Sequence, residues 1–126
     1  NPRESDVYHK SGIWYGWDTA IKTISREQNV YIVEGYFDVI SMQRRGVPNT
    51  IAACGTSIDI KQWKLLKAHT HTVSLMLDGD AAGQEKLLKL THAALSQGFN
   101  VNIVELIDGM DPDDFARHAE TLQTIA

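Results

Sequence analysis

A single cysteine, Cys54, occurs among the 126 residues. That excludes an intrachain disulfide framework and a multi-cysteine zinc site, and it fits a reducing compartment. No apolar run approaches the roughly 18 residues that a membrane-spanning helix needs. The polar opening, Asn1 to Lys10, has no hydrophobic stretch of a signal peptide. Positive charge is also scarce: 12 Lys and Arg against 16 Asp and Glu leave a net charge of −4. Such a chain lacks the field of a self-sufficient nucleic-acid binder. Any such role would draw its positive charge from metal ions or another domain. The P-loop, the dinucleotide-binding glycine fingerprint and the Gly-x-Ser-x-Gly elbow are all missing. The first residue is Asn1, not methionine, so we read the chain as an excised fragment or a processed product.

What is present is ordinary globular material, 43% hydrophobic and 22% charged. The length suits one domain with a core of its own. Short β-rich runs alternate with helical patterns. Strands are expected at 29–34, 50–54, 72–77 and 101–106, and helices at 18–28, 36–45, 59–69, 81–97 and 111–126. In the second of these helices Phe37, Val39, Ile40 and Met42 are the apolar positions, and Gly46 is its stop. Asp59 is a candidate N-cap for the third, in which Ile60, Trp63, Leu66 and Lys67 recur at helical spacing. Gly98 ends the long fourth helix. This alternation predicts βαβ crossovers and a mainly parallel sheet of about four strands with helices on both faces. In such sheets ligands bind beyond the carboxyl ends of the strands.

Acidic residues stand at those ends. Asp78-Gly79-Asp80 follows the third strand, and two carboxylates separated by a glycine can converge on one hard cation. Asp80 could equally cap the helix that begins at Ala81. A calcium-binding EF-hand is excluded, because Ala82 and Lys89 stand where that loop needs oxygen ligands. Glu34 closes the first strand, and Asp38 lies four residues on, one helical turn away, so both can face one side; the rival reading is a helix-start acid that complements the helix dipole. Asp111-Pro112-Asp113-Asp114 makes a good helix start and is also a third acidic group. Gly55-Thr56-Ser57 is a phosphate cradle or an ordinary turn. His69-x-His71 has no third ligand near it and reads as surface. His9, His92 and His118 are isolated. Trp14, Tyr15 and Trp17 are expected to pack the N-terminal segment onto the sheet rather than to stack bases. Arg44, Arg45 and Lys86 could meet DNA or only water.

Together these motifs resemble the TOPRIM domain shared by topoisomerases, primases and some nucleases, whose pattern is a glutamate after the first strand and Asp-x-Asp after the third. The nearer resemblance is to bacterial replicative primases of the DnaG type. It is carried by Val33-Glu34-Gly35-Tyr36-Phe37-Asp38-Val39, Ala53-Cys54-Gly55-Thr56-Ser57, Leu77-Asp78-Gly79-Asp80-Ala81-Ala82-Gly83 and Asp111-Pro112-Asp113. Upstream, Tyr8-His9-Lys10-Ser11 and Tyr15-Gly16-Trp17-Asp18 are similar to the segment leading into that core. The resemblance implies a Rossmann-like TOPRIM fold within a primase RNA polymerase domain, with residues 1–28 as lead-in and 29–126 as the TOPRIM core and its following helix.

The resemblance further implies template-directed synthesis of short RNA primers on single-stranded DNA from ribonucleoside triphosphates. It implies Mg2+, two ions, with Mn2+ able to substitute. Glu34, Asp78 and Asp80 would be catalytic and ligate metal, with Asp38, Asp111 and Asp113 completing the metal cluster. Lys10 would meet nucleotide phosphates. Glu34 as general base ranks below metal ligation. A replicative helicase would bind through a domain absent from this sequence, and the setting would be the cytoplasm without a membrane. A fragment of this kind would have little or no activity alone. The rival readings are a TOPRIM nuclease or topoisomerase module, and a non-catalytic doubly wound binding module of receiver type. The receiver is disfavoured because its acidic pair belongs on the first strand and its lysine at a later strand end.

Overall fold

A computed structural model describes residues 14–53, 58–77, 81–105 and Arg117. The elements run α1 (Trp17–Glu27), β1 (Val30–Val33), α2 (Tyr36–Arg44), β2 (Thr50–Ala52), α3 (Ile60–Lys67), β3 (Thr72–Leu75), α4 (Ala81–Ser96) and β4 (Asn100–Ile103). The helix expected at 111–126 lies outside the described residues, Arg117 excepted. All neighbouring strands are parallel, in the order β2-β1-β3-β4.

Strand periodicity explains the layering. Val30 and Ile32 of β1, with Val73 and Leu75 of β3, enter one core together with Ala20 and Ile24 of α1, Trp63 and Leu66 of α3, and Ala94 of α4. Val33 and Met76, with the opposite parity, join Val39 and Met42 of α2 in a second core. Helices therefore cover both faces, α2 on one and α1, α3 and α4 on the other. For α2, α3 and α4 that division follows from the strand order. The crossover from β1 to β2 runs one way along the sheet, and those to β3 and β4 run the other way. Crossovers of one hand then place their helices on opposite faces.

The lead-in is part of this packing. Tyr15 pairs antiparallel with Ala52 at the edge of β2, its N–H donating to the Ala52 carbonyl at 2.8 Å. The Trp14 ring, 1% exposed, meets Trp63 edge-on at 5.7 Å and donates its indole N–H to the Gln62 carbonyl at 2.9 Å. Gly16 caps α1 with φ +85. A Cβ there would stand 2.7 Å from Val39 Cγ1, so both the backbone conformation and the space require glycine.

Two sequence expectations need adjustment. In α2 only Val39 and Met42 are buried, while Phe37 and Ile40 are exposed. Residues three apart share a stripe, and 37 and 40 form one that points away from the sheet. In α3, Trp63 and Leu66 are buried but Ile60 is exposed. Asp59 caps that helix as expected, accepting from the backbone N–H groups of Lys61 and Gln62, and the Gln62 side chain closes a capping box.

Candidate functional site

The reversal of chain direction in the strand order falls between β1 and β3. From β1 the chain moves out to β2, and from β3 it moves out to β4. The crevice at the carboxyl ends of these two strands is where doubly wound sheets bind ligands. The pair is held in register up to the mouth of that crevice. Ile32 lies opposite Leu75, and the Met76 N–H donates to the Ile32 carbonyl at 3.0 Å. Glu34 emerges one residue past the end of β1, and Leu77 two residues past the end of β3.

Glu34 is the described acid that stands in the crevice. Its side chain is 37% exposed, and Oε2 accepts a hydrogen bond from Lys86 Nζ at 2.8 Å. Glu34, Leu77, Lys86 and Lys89 share a cleft of about 370 Å³ whose floor is apolar, with Ile32, Trp63 and Leu90 among its walls. Asp38 lies in the first turn of α2, whose N-cap is Gly35. Glu34 thus stands outside the helix, and the four-residue helical spacing does not by itself align it with Asp38. A negative charge in the first turn is favoured by the helix dipole.

Of the remaining sequence-predicted site residues, Lys10, Asp78, Asp80, Asp111 and Asp113 lie outside the described residues, as do Gly55, Thr56 and Ser57. Among the described residues no group of three His, Cys, Asp or Glu converges on a metal position. The donors that are described nevertheless suit one. Glu34 and Asp38 offer carboxylate oxygens, the ligands of a hard divalent cation, and one Glu34 oxygen already meets a positive charge. His69 is taken up otherwise. Its Nδ1 lies 3.3 Å from Ser25 Oγ, and its ring packs edge-on against Trp17.

Sequence reasoning left Lys86 unassigned, and its place beside Glu34 is new. The two are 52 residues apart in sequence. Only the adjacency of β1 and β3, with α4 returning over them, brings them together. Tyr36 and Phe37 form a second unforeseen feature. Their rings stack at 4.4 Å with Tyr15 edge-on to Tyr36, and Phe37 is 71% exposed.

The family model described as Toprim-like matches residues 31–116. A DNA primase of Staphylococcus epidermidis is 37% identical over 123 residues, covering 98% of this chain and 21% of its own length. A DNA primase of Staphylococcus aureus is 35% identical over 115 residues, covering 91% of this chain and 19% of its own length. The chain therefore spans about a fifth of the length of the curated relatives it matches. Among solved structures, the zinc-binding and RNA polymerase domains of the Aquifex aeolicus primase superpose with a TM-score of 0.79 at 32% identity, over 90% of this chain and 28% of that one. The Escherichia coli primase catalytic core gives 0.75 at 30% identity, over 94% and 41%. A DnaG primase catalytic domain bound to single-stranded DNA gives 0.74 at 30% identity, over 91% and 40%.

Proposed function

Since this chain belongs to the Toprim-like family, in the form found in DNA primases, we propose that it supplies the metal-binding catalytic acids of a primase RNA polymerase domain. The reaction is joining of ribonucleoside triphosphates into a short primer on a single-stranded DNA template. The observation that carries this reading is Glu34, which emerges beside the β1/β3 reversal of a chain whose sequence aligns with a DNA primase over 98% of its length.

Glu34, Asp78 and Asp80 would hold divalent metal by their carboxylate oxygens, with Asp38, Asp111 and Asp113 as further ligands or as partners through water. Carboxylates without nitrogen or sulfur ligands favour magnesium, with manganese as its substitute. Such ions, when bound, would supply Lewis-acid activation of the attacking 3′-hydroxyl and charge neutralisation at the leaving pyrophosphate oxygen. The residues of the chain do the rest. Glu34 stands one residue past the end of β1, so the sheet holds it in place and little reorganisation is needed there as charge develops. Lys10 meets the triphosphate as a point charge. We assign residues 1–28 to the lead-in and 29–126 to the TOPRIM core and its following helix. Template-holding surface and helicase contact fall to other parts of a primase, in keeping with the net charge of −4 here. Alone, the chain is expected to have little or no polymerase activity.

The test is a chimera in which this chain replaces the matching segment of the Staphylococcus epidermidis primase, assayed for primer synthesis on single-stranded DNA. The chimera is expected to make primers. Glu34→Gln and Asp78→Asn in it are each expected to lower the rate at least about 100-fold. Unchanged synthesis by either variant overturns the catalytic assignment.

A further inference from the structure

Lys86 projects from the second turn of α4, which begins at Ala81, to Glu34 beyond the end of β1. The two side chains are 57% and 37% exposed, and their charged atoms stand 2.8 Å apart. A pair this open contributes little to stability, because water and salt screen it. Its consequence lies in what the ammonium does to the carboxylate. Nζ occupies one approach to Oε2, and a divalent cation seeking that oxygen has to share or displace it. Lys89, one turn further along α4, lines the same cleft without a described bond to Glu34.

We propose that Lys86 is a built-in counter-ion for Glu34, a positioning residue that holds the carboxylate until a divalent cation arrives and competes with that cation for it. This rests on the reading of Glu34 as a metal ligand. Two consequences follow from elementary electrostatics. The carboxylate has its charge compensated before any metal binds, since the lysine supplies a positive charge by direct contact. The apparent metal affinity is then lower than that of the same acids without the lysine. For a pair this exposed, the expected difference is about two- to fivefold.

The probe is Mn2+ alone, titrated into this chain and followed by the paramagnetic resonance signal of the free ion. Lys86→Met is expected to tighten binding about two- to fivefold, and Lys86→Arg to bind as the wild type does. Lys89→Met removes the same charge one turn away and is expected to give less than half of that gain. In a Glu34→Gln background the Lys86→Met gain should vanish. Thermal unfolding without metal checks that each variant folds, which the exposure of both lysines favours. If Glu34→Gln weakens Mn2+ binding but Lys86→Met does not tighten it, or tightens it no more than Lys89→Met, the inference falls and the metal reading stands. If Mn2+ does not bind, or binds regardless of Glu34→Gln, the metal reading falls and takes this inference with it.

Discussion

At Gly16 one residue ties three elements together. Its left-handed backbone turns the chain into α1, and the Gln43 side-chain amide donates to its carbonyl at 3.2 Å and to that of Thr50 at 3.2 Å. An added methyl group would crowd Val39, Gln43 and the Thr50 carbonyl in a conformation that L-residues avoid. Gly16→Ala is expected to lower unfolding stability by about 2 kcal/mol or more. Urea denaturation would show it as a lower midpoint with an unchanged slope. In the sequence this residue stood out only as part of the segment Tyr15-Gly16-Trp17-Asp18, not as a point of close packing. Glu34 was legible by its place after an apolar β-branched run. Lys86 was not, because its partner is set by strand order and no local pattern encodes that order.

The elements themselves were largely legible, since each carries its own period and stop signal. Gly46 and Gly98 both adopt positive φ at the helix ends where the sequence puts them. The strands come out shorter than their apolar runs. The run at 72–77 continues through Met76 and Leu77, while the assigned strand stops at Leu75, where pairing to both Ile32 and Ile103 ends. Burial beyond the ladder keeps those residues apolar, so composition overshoots hydrogen bonding. The aromatic run Trp14, Trp63 and Phe99 fastens the lead-in, α3 and the start of β4 to one another, the last two rings being 5.5 Å apart. Lys67 completes the joint by donating to the Gln97 carbonyl at 2.7 Å and lying over the Phe99 ring. Trp14→Phe keeps most of the packing but removes the indole donor from a buried carbonyl. It is expected to cost about 1–3 kcal/mol, read as a lowered melting temperature.

For the molecule as a whole, a chain that binds a divalent cation through Glu34, as proposed, should be stabilised by that cation. Mn2+ at about 100 times its dissociation constant is expected to add about 2.7 kcal/mol to unfolding stability. A chelator should reverse the gain, and Glu34→Gln should remove most of it; thermal melts with and without metal decide. The order β2-β1-β3-β4 has a further consequence, in time rather than space. β1 can take up its first neighbour, β2, as soon as residue 52 has been made, but its other side stays open until residue 75. Glu34 waits longer still, 52 residues, for Lys86. At about 5–20 residues per second that is roughly 3–10 s on the ribosome. Until residue 75 is made, the future centre of the sheet is a bare strand edge of Val30, Tyr31, Ile32 and Val33, a foothold for chaperones and for wrong partners alike.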